Sequence, residues 1–215
     1  MSSLSFLRER VRKEYQAFYA DKAAVPSFFV GLCVFLFSTV VNYFAGSYAT
    51  EQASVPVRDI ILSNLPRIDT SFFHAHGVEA VGAILIILTL FFPRRSPFLF
   101  KTFAFLILVR AAFINMTNLG IYPDAVPLVN SWVTFGGDLF FSGHVANMFL
   151  LALIFGDIKP LRYLFLGLSV LLGATVLLGH YHYTIDVFAA PFIAYGVFKL
   201  SQKFFTKDFA RLKPL

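Results

Sequence analysis

One cysteine stands in the whole chain, Cys33, and it lies inside an apolar run. No disulfide can form within the chain, and the redox compartment is not legible from it. Charge is scarce as well. Only 14% of residues are Asp, Glu, Lys or Arg, against 58% hydrophobic, and Phe alone occurs 28 times. A soluble domain of 215 residues could not bury that much apolar surface, so the soluble globular class is excluded and an integral membrane protein remains. Two further absences narrow the reading. There is no internal repeat and there are no Gly/Pro-broken segments in matching halves, Pro191 having no counterpart. That weighs against a membrane transporter, the other class that buried titratable groups would suit. The short basic n-region of a cleaved signal peptide is also missing, so the first apolar run is expected to stay in the protein.

What is present is a series of apolar runs of about 17–22 residues, the length that crosses a hydrocarbon core about 30 Å thick. Six are read, over 27–46, 75–92, 98–118, 139–156, 161–180 and 185–204. Helices are expected throughout, since only they satisfy their own backbone in lipid. The fold class is therefore all-α, a six-helix membrane domain over 26–205. It is preceded by a cytoplasmic amphipathic segment, 1–25, and followed by a basic cytoplasmic tail, 206–215. In the first segment Phe6, Leu7, Val11, Tyr15 and Phe18 recur at helical spacing among Arg8, Arg10, Arg12 and Lys13, the pattern of a helix lying on a membrane surface. A solvated basic tail fits these residues equally well.

The net charge of +6 invites a nucleic-acid reading, and the positions of the charges argue against it. With six spans, 15 of the 18 Lys and Arg fall on one side of the membrane; Arg58, Arg67 and Arg110 are the others. The positive-inside rule then places both termini in the cytoplasm. The same assignment puts His74, His76, His144, His180 and His182 at the non-cytoplasmic ends of spans, together with Glu79, Asp138 and Asp186. Five histidines on one side are not surface scatter.

Three span ends carry the chemistry-bearing residues. Span three holds Arg110, in LVRAAFINMTN. An arginine at membrane depth costs a few kcal/mol on insertion scales, so it is expected to face a cavity and a partner. Span four opens with GGDLFFSGHVANMF, carrying Asp138, Ser142, Gly143 and His144. Span six opens with HYHYTIDV. His182 and Asp186 stand at i, i+4 and share a face if the helix begins before His182. A carboxylate taking the Nδ1–H of that imidazole would leave Nε2 free to attack or accept a proton. His180, two residues off, would point elsewhere. Two histidines and an arginine suggest phosphoryl chemistry: the arginine forks onto phosphate oxygens, one histidine acts as nucleophile, the other protonates the leaving oxygen. Gly143 would let a phosphate approach the backbone closely. The two H-x-H pairs, His74/His76 and His180/His182, are a modest zinc or copper signal on strands and a weaker one on helices. His74, His76 and His180 are read instead as interfacial polar residues.

In order along the chain, VPVRDIILSNLPRID, RAAFINMTNLG, GGDLFFSGH and HYTIDV resemble the motifs of the sphingomyelin synthase-like branch of the type-2 phosphatidic acid phosphatase superfamily. The resemblance covers about residues 55–200. It implies six spans, cytoplasmic termini and an active site at the non-cytoplasmic face. It implies that His182 is a nucleophile forming a phosphohistidine, that Asp186 orients it, and that His144 is general acid and then base. Asp138 matches the motif's aspartate, and Glu79 is the candidate for a glutamate the branch uses near the start of span two. No metal and no cofactor is implied. The partners implied are phospholipid and lipid-alcohol substrates and the bilayer, and no nucleic acid.

Departures from the broader superfamily bear on the substrate. Phe141 stands where phosphatases carry a proline before Ser-Gly-His, Val176 and Leu177 where they carry Ser-Arg, and Lys101 and Arg110 do not fit the spacing of their Lys/Arg motif. One arginine in place of three cations favours a phosphodiester monoanion over a phosphomonoester dianion. The expectation is a phosphotransferase or phospholipase C-type hydrolase acting on a phospholipid, with a lipid monophosphate phosphatase as the alternative. Acceptor, headgroup, membrane and oligomeric state are not legible. Tyr122, Trp132, Tyr181 and Tyr183 read as interface aromatics. The loop 119–138 is long enough to cap a cavity, and the Phe-rich spans read as lipid-facing surface.

Overall fold

A computed structural model of the chain describes residues 3–127 and 135–213, with the side chains of residues 3, 4, 6 and 7 left out. Phe6, Leu7 and Trp132, part of the reading above, therefore lie outside the described residues. Every regular element described is helical: α1 (Ser3–Ala20), α2 (Ala24–Glu51), α3 (Ser71–Phe91), α4 (Ser96–Met116), α5 (Gly143–Ile154), α6 (Lys159–Leu178), α7 (Thr184–Phe204) and α8 (Thr206–Ala210). The chain is thus an all-α protein whose apolar helices suit an integral membrane fold. Among the described residues, five helices are long and apolar enough to cross a membrane, namely α2, α3, α4 with the turn before it, α6 and α7. Proline in the first turn marks the starts of α4 and α6, where its missing N–H costs nothing.

The fourth expected span differs. In place of a helix over 139–156, α5 has 12 residues, about 18 Å of helix, well short of a bilayer core. Its apolar run reflects burial within the protein. Val145, Ala146, Met148, Leu150, Leu151 and Ile154 are all buried, and α5 packs against α6 and α7 with α3 alongside. Residues 139–142 stay out of the helix, with the Leu139 and Phe141 carbonyls accepting from the His182 and Arg110 side chains. The Phe-rich surface is also divided. Phe29, Phe37, Phe44 and Phe192 are exposed on outer faces, whereas Phe98, Phe103, Phe141 and Phe155 are fully buried.

The two ends of the bundle differ in chemistry. At one end the turn after α1, the α3–α4 turn, the α5–α6 turn and α8 are joined by ion pairs. Arg95 pairs with Asp157 at 2.6 Å, Arg211 with Asp21 at 2.8 Å, and Lys101 with Asp208 at 2.6 Å. Helix α1 is docked there, with Glu14 and Phe18 buried and Arg94 4.0 Å from Glu14. It is an amphipathic helix seated on the protein. At the other end, segments 52–70 and 117–127 fold over the helix tips. The Tyr183 hydroxyl donates to the Gly120 carbonyl at 2.7 Å and accepts from the Val57 N–H at 3.1 Å. The Ile68 N–H reaches the Leu178 carbonyl at 2.8 Å. Tyr181 and Tyr183, read as interface aromatics, are buried here.

Candidate active site

Helices α2, α3, α4 and α5 enclose a cavity of about 300 Å³ at this second end. Its deep part is apolar, with Phe35, Val81, Leu85, Phe103 and Leu106. Its mouth carries His74, His144, His182, Arg110 and Asp138. The structure therefore brings together most of the residues singled out by sequence, and adds His74.

His182 does not begin a helix. Helix α7 starts at Thr184 with Tyr183 as its N-cap, so the expected helical i, i+4 relation between His182 and Asp186 is corrected. Asp186, fully buried, caps the helix by accepting the Tyr183 N–H at 2.9 Å, the usual task of a carboxylate at N3. Its Oδ2 is 3.5 Å from His182 Nδ1, long for a charge-assisted bond. The Nδ1–H of His182 goes instead to the Leu139 carbonyl at 2.9 Å. A carbonyl can only accept, so Nδ1 bears the proton and Nε2 carries the lone pair. The tautomer is the expected one, set by a different partner.

The segment 138–142 that supplies this carbonyl is held by Arg110. Its Nε donates to the Phe141 carbonyl at 2.9 Å, and its two terminal nitrogens to the Asp138 carboxylate at 3.0 Å and the Asp138 carbonyl at 2.6 Å. The expected cavity and partner are both present. The forked face expected for phosphate is engaged with protein. Gly143 is corrected in the same way: a Cβ there would lie 3.3 Å from Arg110 Nε, so its missing side chain makes room for the guanidinium. The Ser142 N–H is bonded to the Asp186 carbonyl at 3.1 Å, and its buried Oγ has no partner.

His144, in the first turn of α5, is buried. Its Nε2–H donates to the His74 carbonyl at 3.0 Å, which leaves the lone pair on Nδ1. Its ring fits against α3 at Gly77, where a Cβ would come within 2.6 Å of His144 Cδ2. His74, expected at the interface, is buried and stacked between two rings. It lies 4.7 Å from His144 and 4.0 Å from Tyr181, centroid to centroid. A buried, ring-packed histidine cannot be told from a surface one by spacing alone; the HAHG glycine was the available signal.

Glu79 stands apart, which corrects its candidacy. It is exposed and accepts a bond from His76 Nδ1 at 2.8 Å. Five residues on from His74, it is turned by about 140° around the helix. His180 is buried against Tyr122 with a φ of 56° and does not line the cavity. Behind His182, Asp59 accepts from the Thr184 N–H at 2.6 Å, the Thr184 hydroxyl at 2.9 Å, and the N–H groups of Ile61 and Leu62 at 2.9 and 3.1 Å. Burial works to raise its carboxyl; these bonds outweigh burial and hold it below the usual carboxylate range.

Residues 136–203 match the family described as PAP2 superfamily C-terminal. The matched stretch contains Asp138, Ser142, Gly143, His144, His182 and Asp186. The match supports the type-2 phosphatidic acid phosphatase superfamily and, in general terms, an activity of the lipid phosphatase or phosphotransferase kind. No curated protein matches the chain.

Proposed function

We propose that the chain is a membrane enzyme that cleaves a phospholipid through a phosphohistidine and passes the phosphoryl headgroup to a lipid hydroxyl, as a sphingomyelin synthase-like transferase would, or to water. The observation that carries this reading is the mouth of the cavity. There His182, its Nδ1–H held by the Leu139 carbonyl, and His144, its Nε2–H held by the His74 carbonyl, both line a cavity whose deep part is apolar. His182 Nε2 attacks phosphorus, and the bond from phosphorus to the diacylglycerol oxygen breaks. His144, as imidazolium, gives that oxygen a proton from Nδ1. Diacylglycerol leaves, and neutral His144 then takes the proton of the incoming hydroxyl as its oxygen displaces the histidine. Asp186, 3.5 Å from the protonated nitrogen of His182, stabilises the positive charge that ring gains.

With Arg110 neutralised by Asp138, phosphate is held by the N–H groups of Gly143 and His144, the first-turn residues of α5 that line the cavity. One cation, already paired, suits a diester monoanion, so the donor is a phospholipid diester. The basic turns at the opposite end support a reading in which that end is cytoplasmic and the site lies at the non-cytoplasmic face. The test is the purified chain in detergent with labelled phosphatidylcholine, phosphatidylethanolamine or phosphatidic acid, with and without ceramide. Acid-labile label on the protein, absent in His182→Ala, and activity lost in His182→Ala and Asp186→Asn are expected. Full activity in both variants, or fast turnover of phosphatidic acid alone, overturns the mechanism or the donor class respectively.

A further inference from the structure

We propose that His74 is a positioning residue for His144, acting through its ring as well as its carbonyl; the catalytic part of this proposal rests on the reading just given. Three observations meet on this residue. Its carbonyl is the acceptor that keeps the proton of His144 on Nε2. Its ring lies nearly parallel to Tyr181, at 4.0 Å and 19°, and to His144, at 4.7 Å and 29°. Its own Nδ1 is buried with no partner, so that nitrogen does not hold the ring in place. The stack does. It runs from the α6–α7 turn through α3 to α5, and joins three of the elements that converge on the mouth of the cavity.

The consequence for His144 is geometric. A ring in the first turn of a helix has several staggered positions open to it. The His74 ring closes one side of His144, and Gly77, one turn further along α3, admits the other edge, where even a methyl group would collide. The imidazole is thereby kept in the one orientation that sends Nε2–H to the carbonyl and turns Nδ1 to the proton-transfer task. Without the ring a slot opens beside His144. The imidazole can then turn, and the choice of tautomer is lost even though the carbonyl remains.

Two measurements on the full chain in detergent test this. The first is nitrogen NMR of histidine-labelled protein, which reads tautomers without any turnover. His144 is expected as a single Nε2–H tautomer in the wild type and in His74→Phe, which keeps a flat ring in the stack, and as a mixture in His74→Ala. A single unchanged tautomer in His74→Ala overturns the proposal, whatever the protein's activity. The second is kinetics on whichever labelled phospholipid the wild type turns over. His74→Ala is expected to lower kcat on the order of 10²-fold with KM nearly unchanged, the usual effect of a misplaced catalytic group. His74→Phe is expected to restore most of kcat with an unshifted pH profile. Equal losses in the Phe and Ala variants would make His74 a proton carrier and overturn the positioning role. Gly77→Ala meets the Cδ2–Nε2 edge of the same ring and is expected to copy His74→Ala. Retention of activity in His144→Ala, by contrast, removes the catalytic reading and leaves the NMR result to stand alone.

Discussion

At the scale of single residues, Arg110 shows how an expected role changes with its partners. Three of its nitrogens are bonded to Asp138 and Phe141, and the segment they hold presents the Leu139 carbonyl to His182. The guanidinium thus governs the orientation of His182 at one remove. Lysine keeps the charge but lacks the fork that bridges three oxygens. Arg110→Lys is expected to lower kcat on the order of 10²-fold with little change in KM. Arg110→Gln and Asp138→Asn are expected to be non-additive in a double-mutant cycle, as for members of one hydrogen-bonded unit. A substrate-binding arginine would instead raise KM with kcat nearly unchanged.

At the scale of elements, the start of α7 decides the geometry of the HYHYTID motif. Two carboxylates cap it, Asp186 from within the helix and Asp59 from the segment before α3. Asp59 is charged when it accepts these bonds, and its carboxyl is held below the usual range. A group whose folded pKa is lowered adds stability that is complete above its unfolded value, about 3.9, and lost as pH falls through the folded value. Thermal unfolding in detergent is therefore expected to show Asp59→Asn destabilised by about 1.5–3 kcal/mol near neutrality, the range for bonds to a charged acceptor. The gap between variant and wild type should close below about pH 4. A gap independent of pH would mean that shape, and not charge, holds this junction. The element α5 carries a second lesson. Its helix is shorter than the apolar run in sequence, because Leu139 and Phe141 give their carbonyls to His182 and Arg110 before the helix begins.

At the scale of the whole molecule, the bundle keeps its histidine-lined cavity and its ion-pair ties at opposite ends. Asp208 accepts from Ser27 at 2.7 Å, from Lys101 at 2.6 Å and from Arg211, joining α2, α4 and α8. Lys101 stands nine residues before Arg110 on α4, about 14 Å along the helix axis, and so belongs to this tie and not to the site. Removing one partner of such a buried network leaves its cations uncompensated, and Asp208→Asn is expected to cost about 3 kcal/mol in thermal unfolding. The chemistry at the far end should be spared in the protein that remains folded. A variant as stable as the wild type would show the tie to be incidental. The membrane class, the helical architecture and the pairing of basic turns against a histidine-rich end follow from the sequence by itself, because hydropathy, run length and charge position act locally and additively. The sequence motifs single out His182 and His144, and the structure brings both to one cavity. The partners of those residues were not legible in the sequence. That Leu139 and not Asp186 takes the His182 proton, that Arg110 serves a loop, that Glu79 turns outward while His74 lies in the stack, and that α5 does not have the length of a span are all settled by contacts between elements distant in sequence. Spacing along one helix carries no information about which carbonyl of another segment arrives opposite a given nitrogen; only the tertiary structure decides that.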